Sequence, residues 1–312
     1  MLATGRIRAH ALLIASLLLL SACASLRPAT HGRRGPAEQA VSSSTPAQHI
    51  VVIAMENKEY AQIIGSFDAP YLNRLAKRKV LLTKEYAITH PSLPNYLALT
   101  GGSTFGITSD CTDCNVKGRN LVDQLEAHGT SWKAYMQSMP VPCFKEASAG
   151  TAPNDYAKKH DPFMYFDDVR NDDTRCNQIV PFSQFRTDLK NGLPQFAWIS
   201  PNECKDMHSC SIATGDSWLN LWVPKIAPAL GTNGILMVLF DEGATGASCC
   251  SLFTGGGHVA AIIAGPGAKD SRKITTAADH YSLLRLIEDE WGFRRLRHAA
   301  DATTPTVEGW KA

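Results

Sequence analysis

Six consecutive apolar residues, Ile50 to Met55, stop at the pair Glu56-Asn57. A run without polar alternation is the pattern of a strand covered on both faces, which confines it to the interior of a sheet. Similar runs stand at Phe196 to Ile199, Ile235 to Phe240 and Val259 to Ala264. Helical stretches separate or follow them at Tyr71 to Arg78, Tyr96 to Leu99, Leu121 to His128 and Tyr281 to Trp291. Buried strands alternating with helices predict an α/β domain with a largely parallel central sheet flanked by helices. At 312 residues and 44% hydrophobic, the chain can bury such a core. No internal repeat and no second linker interrupts residues 49–312, which read as one domain.

The N-terminus reads differently. Arg6 and Arg8 precede a short apolar run, Ala11 to Leu20, followed by Leu20-Ser21-Ala22-Cys23. That run is too short to span a bilayer but suits the core of a signal peptide. Small residues before a cysteine resemble a bacterial lipobox. Residues 1–22 are thus expected to be a lipoprotein signal peptide, with Cys23 as the lipidated first residue of an exported, membrane-anchored protein. Ala24 after the cysteine favours an outer-membrane or periplasmic location if the source is Gram-negative, and the cell surface otherwise. Residues 24–48, rich in Ala, Ser, Pro, Arg and Thr, read as a disordered tether.

Beyond Cys23 lie eight cysteines, an even number that suggests disulfides in an oxidising compartment. Local spacing favours Cys111–Cys114 and Cys204–Cys210, and Cys143–Cys176 is added to them. Cys111-x-x-Cys114 as a zinc knuckle would need a second well-spaced pair, and none is evident. The state of Cys249 and Cys250 is left open. A formal net charge of +2 gives no sign of nucleic-acid binding. Contact with membrane is expected through the anchor alone, and no obligate protein partner is evident.

Open α/β sheets bind ligands at the carboxyl ends of their strands. The first strand ends in Glu56-Asn57, and Ile235 to Phe240 ends in Asp241-Glu242. Carboxylate and amide oxygens suit Ca²⁺, Mg²⁺ or Mn²⁺, and zinc accepts them too. Two such pairs at matching strand ends form a candidate site for a divalent metal. The segment His90-Pro91-Ser92-Leu93-Pro94-Asn95-Tyr96 leads into a helix, where Ser92 reads as an N-cap. A helix N-terminus also attracts phosphate, so a serine beside a metal there is a candidate nucleophile. Asp206 and His208, framed by Cys204 and Cys210, are the best candidates for acid/base work. His258, after Gly255-Gly256-Gly257, follows either a phosphate-approach loop or a merely flexible one.

Together these residues resemble the bacterial phosphoesterase family that joins secreted acid phosphatases and non-haemolytic phospholipases C, within the alkaline-phosphatase-like superfamily. The motifs run in order from Met55-Glu56-Asn57 through His90 to Tyr96, Lys159-His160-Asp161-Pro162-Phe163, Asp206-Met207-His208 and Gly215-Asp216-Ser217-Trp218-Leu219 to Phe240-Asp241-Glu242-Gly243 and Asp279 to Asp289. The resemblance implies an alkaline-phosphatase-like core, with Glu56, Asn57, Asp241 and Glu242 holding the metal and Ser92 forming a phosphoseryl intermediate. It implies that Asn95, His160, His208 and His258 contact phosphate oxygens or move protons, and that Asp206 and Asp216 orient them. Glu242 stands where the family often has a second Asp. Phospholipase members tend to carry Thr at the nucleophile, so Ser92 tilts the reading towards a phosphomonoesterase acting on a small phosphate ester. The alternatives are a phospholipase C-type phosphodiesterase and a non-catalytic surface lipoprotein.

Overall fold

The computed structural model of the chain describes residues 45–250 and 255–312. The signal peptide, Cys23 and the tether up to residue 44 lie outside the described residues. The last residues of the expected tether belong to the fold: Ala47 is buried, its N–H donates to Glu290 at 2.7 Å, and its carbonyl accepts Trp291 Nε1 at 2.9 Å.

The main sheet contains β1 (Ile50–Met55), β2 (Val80–Tyr86), β3 (Trp132–Met136), β4 (Ile179–Pro181), β5 (Phe196–Ser200), β6 (Ile235–Phe240), β7 (His258–Ala264), β8 (Arg272–Ile274) and β9 (Ala278–Asp279). Their order is β8-β2-β7-β6-β1-β5-β3-β4, with β9 also on β2. Strand β1 sits between β5 and β6, parallel to both. Only β7 among these strands runs against its neighbours, antiparallel to β2 and β6. The largely parallel sheet expected from the apolar runs is therefore present. Strands β2, β3, β4, β8 and β9 lie beyond those runs.

The alternation of side chains along β1 divides the core into two layers. Ile50, Val52 and Ala54 pack with Leu93, Tyr96, Leu97, Leu283 and Ile287 on one face. Val51, Ile53 and Met55 pack with Leu72, Leu219, Trp222 and Val223 on the other. Each fully buried Ile or Leu contributes roughly 1.5–3 kcal/mol, so β1 is a principal support of both layers.

The longer helices are α1 (Pro70–Arg78), α2 (Ser92–Gly101), α3 (Leu121–Ala127), α4 (Phe182–Asn191), α5 (Ile212–Ile226) and α6 (His280–Trp291). Helix α2 ends at Gly102, whose φ of 68° closes a left-handed cap that a residue with a Cβ enters only under strain. Helix α6 starts on an Asp279 capping box, with Asp279 Oδ1 accepting the N–H of Ser282 at 3.1 Å. The disulfides Cys111–Cys114, Cys143–Cys176 and Cys204–Cys210 are formed as expected, and Cys249 is bonded to Cys250.

Candidate active site

The parallel strands point their carboxyl ends at one edge, and the chemistry gathers there. Glu56 follows β1, Asp241 and Glu242 follow β6, and the loop carrying Glu203 and Asp206 follows β5. Backbone bonds clamp these turns together: Glu56 N–H donates to Asp206 O at 2.9 Å, and Asp241 N–H to Met55 O at 2.9 Å. Ser92 opens α2 after the turn that leaves β2.

Ser92 is not the cap that the sequence suggests. Pro91 holds the cap position, Ser92 is the first helical residue, and its hydroxyl makes no capping bond. Ser92 Oγ instead lies 3.1 Å from Glu56 Oε2 and 3.0 Å from Glu242 Oε1. The hydroxyl is therefore turned from the helix backbone into a nest of carboxylates.

Around it, Glu56 Oε1 accepts the Tyr96 hydroxyl and stands 3.2 Å from His160 Nε2. His160 Nδ1 stands 3.3 Å from Asp206 Oδ2, and Asp206 Oδ1 accepts the His208 N–H at 2.8 Å. Asp241 Oδ1 accepts the Asn57 N–H at 3.0 Å. Glu242 Oε2 pairs with His90 Nδ1, and His90 Nε2 donates to the carbonyl of Thr245 at 2.9 Å. His208 Nδ1 is paired with Glu203 at 2.7 Å.

Five carboxylates are buried here, those of Glu56, Glu203, Asp206, Asp241 and Glu242. Burial and the charges of Asp241 and Asp206 push the Glu56 carboxyl well above its usual range. Burial and the nearby charge of Glu203 likewise raise Asp206, and burial with Glu242 pushes Asp241 up to about 6. Burial and then Lys159 lower His160 to about 4, which keeps its imidazole neutral and able to ligate. Burial lowers the Lys58 ammonium although three of these carboxylates oppose it.

A divalent cation fits this arrangement. Donor atoms of Glu56, His160 and Asp206 all lie within 4.8 Å of one another. His160 Nε2, Asp206 Oδ2 and Asp241 Oδ2 are buried without a hydrogen bond, although neighbouring oxygens and nitrogens converge on them. Atoms that approach without bonding to one another, in a mixed oxygen and nitrogen set, are what a cation satisfies. Glu56 thus belongs to the cluster as expected, whereas His160 and Asp206 join it from the residues assigned to phosphate contact and orientation. Asp241 and Glu242 flank it, and the Asn57 carboxamide beside them makes no hydrogen bond among the described residues.

Three expected site residues have other work. Asp216 spends its carboxylate on another helix, accepting the N–H groups of Tyr71 at 2.9 Å and Leu72 at 2.8 Å and so capping α1. Asn95 spends both amide hydrogens on the carbonyls of Thr89 and Pro91, and its Oδ1 accepts the Ile88 and Thr89 N–H groups. It shapes the turn before Ser92 and has no donor left for phosphate. His258 is stacked between Tyr60 and Tyr86, and its Nε2 donates to the Thr83 carbonyl at 3.0 Å, so it faces β2. The glycine run before it is closely packed: a Cβ at Gly256 would stand 2.3 Å from Thr89 O. That run packs closely against the turn that leads to Ser92.

The sequence reading missed His90, Tyr96 and Glu203. Tyr96 was accessible to it, since Ser92 and Tyr96 are four apart on one helix face. Glu203 carried no such signal, because a disulfide-closed loop has no periodicity.

A family model described as the Phosphoesterase family matches residues 67–294. The chain is 33% identical over 278 residues to a phosphatidylinositol-3-phosphatase of Mycobacterium tuberculosis, covering 87% of this chain and 85% of that protein. It is 33% identical over 257 residues to an acid phosphatase of Aspergillus fumigatus, covering 78% of this chain and 54% of that one. A solved structure from Vibrio parahaemolyticus, of a protein in the alkaline phosphatase superfamily, gives a TM-score of 0.55 over 84% of this chain and 72% of its own, at 15% identity. At that identity the likeness is one of fold.

Proposed function

Because the chain belongs to the phosphoesterase family, we propose that it is a metal-dependent phosphomonoesterase with Ser92 as its nucleophile. One observation carries this reading: Ser92 Oγ, at the start of α2, is held between Glu56 and Glu242 rather than on its own helix. A cap needs no such environment, whereas a hydroxyl that must lose its proton does.

Glu56, His160 and Asp206 would hold a divalent cation, with Asp241, Glu242 and Asn57 at hand to complete the set. Bound there, the ion supplies positive charge for the serine oxygen and the phosphate oxygens. The protein's own groups and water do the rest. One of the two carboxylates beside Ser92 takes its proton as Oγ bonds to phosphorus and the ester oxygen leaves. Water protonates the departing alcohol, and His208, fixed through Nδ1 by Glu203, lines the site with its Nε2 as an acceptor. Water then cleaves the phosphoserine, its own proton passing to solvent, and the carboxylate returns the first proton to Ser92 Oγ. The dipole of α2 favours the anion throughout.

Both relatives named above are phosphatases, which supports the monoester reading over a phospholipase C-type one. Four disulfides among the described residues support export to an oxidising compartment, as an anchor at Cys23 requires. No described helix is long and apolar enough to cross a membrane. The testing experiment is a phosphatase assay after chelation, with separate re-addition of Ca²⁺, Mg²⁺, Mn²⁺ and Zn²⁺. Activity lost on chelation and restored by one ion is expected, and activity indifferent to chelation would remove the metal from the reading.

A further inference from the structure

Lys159 precedes His160 in a single helical turn, Lys158–His160, and the mechanism above gives it no task. Its neighbour Lys158 has a plain structural one, donating to the Thr112 carbonyl at 2.8 Å with its ammonium over the Tyr165 ring. Lys159 Nζ instead lies 3.3 Å from Asp110 Oδ2 and 3.2 Å from His208 Nε2. Each partner leads to the reacting serine by a different route. Asp110 Oδ1 accepts the N–H of Leu93 at 3.0 Å, one residue beyond Ser92 in the first turn of α2. The His208 ring lies 5.7 Å from that of His160, which stands against Glu56, the carboxylate beside Ser92 Oγ. The ammonium thus bridges the serine helix and the histidine loop.

An ammonium has three N–H donors and cannot accept. Asp110 and His208 use two, and no third acceptor stands at Lys159 Nζ among the described residues. The side chain is about one-fifth exposed, so the spare donor is reachable from solvent. The two classes of phosphate ester differ in what they offer such a group. A monoester presents three non-bridging oxygens and up to two charges, whereas a diester presents two oxygens and one charge. The cation cluster and the helix N-terminus can serve two oxygens. A third needs a further donor, and a charged one binds it most strongly.

We propose that Lys159 binds the third non-bridging oxygen of a phosphomonoester and so makes the site select monoesters over diesters. This rests on the reading of Ser92 as the nucleophile. Asp110 and His208 act as its positioning residues, holding the flexible stem so that little freedom is lost when the ester arrives.

The test compares kcat/KM for 4-nitrophenyl phosphate and bis(4-nitrophenyl) phosphate in metal-loaded wild type, K159M and K159Q, with thermal melts of each. Loss of one charge-assisted bond predicts a monoester kcat/KM lower by about 10- to 100-fold, with the diester value nearly unchanged. An equal fall for both esters, or none for either, would overturn the assignment and leave Lys159 a scaffold for the Asp110 loop. Should both variants fail to fold, inhibition of the wild type decides. Inorganic phosphate should bind at least about 10-fold more tightly than dimethyl phosphate, and equal binding would refute the proposal. A wild type inactive on both esters with every metal would instead sink the phosphatase reading itself, and this proposal with it.

Discussion

Ser92 Oγ stands 3.0 Å from Glu242 Oε1, two side chains brought together from the ends of different sheet strands. Neither residue needs the other for local structure, since Pro91 holds the cap position of α2 and Glu242 has its own pairing with His90. The contact therefore points to chemistry, and its removal separates the two roles in magnitude. Ser92→Ala should melt within about 1 kcal/mol of wild type, since no capping bond is lost. Its turnover should fall by at least about a thousand-fold, equivalent to roughly 4 kcal/mol of barrier. Wild type quenched in acid during turnover should carry phosphate on the peptide containing Ser92. Retention of more than about a tenth of wild-type turnover, under roughly 1.4 kcal/mol, would place the nucleophile elsewhere.

Asp241→Asn keeps an oxygen for the Asn57 N–H but removes a negative charge from the cation cluster. The variant should fold, bind divalent metal more weakly and lose most of its turnover. Metal content by mass spectrometry, measured beside activity, checks both parts. Unchanged metal content with unchanged turnover would remove Asp241 from the site.

Asp216 gives the converse case. Its carboxylate caps α1 through Tyr71 and Leu72. Asp216→Ala should therefore cost about 0.5–2 kcal/mol of stability and leave kcat near wild type. A collapse of kcat without a fall in melting temperature would restore it to the active site.

Glu288 lies buried in α6, accepting Gln124 Nε2 at 2.9 Å and the Leu296 N–H at 2.8 Å, while its second oxygen has no partner. Burial pushes its carboxyl up to about 7 from an ordinary 4.5. A raised folded value means that folding favours the protonated form. Its contribution is complete below about pH 4.5 and is lost as pH rises through 7. Glu288→Gln, which stays neutral, should gain on wild type across that window by up to about 3 kcal/mol. Melts of the pair from pH 4.5 to 8 check this, and a constant difference would refute it.

The sheet centre was legible because β1 and β6 are buried on both faces and so carry no polar residue to obscure them. Strand β2 was not, since Thr83-Lys84-Glu85 breaks its apolar run even though Glu85 is buried. Helix α5 was hidden by Gly215 and Pro224, which weaken helical propensity that packing against α1 overrides. In the site, Glu56, Asp241 and Glu242 could be placed because strand ends fix them. His160 and Asp206 reach the same cluster from irregular segments, where no period shows which way a side chain faces. Asp216 was misread for a related reason: a carboxylate's role depends on which N–H groups a neighbouring element brings to it.

Ala47 packs beside Glu290 and Trp291 at the start of β1, whereas Glu56 closes its far end, a strand length of roughly 20 Å away. A carrier protein or solid support joined ahead of residue 45 would thus attach at the back of the molecule and leave the reactive mouth facing outward. Immobilised that way, the enzyme should process dissolved esters at nearly its free rate, whereas attachment through the Lys159 side of the domain should block it.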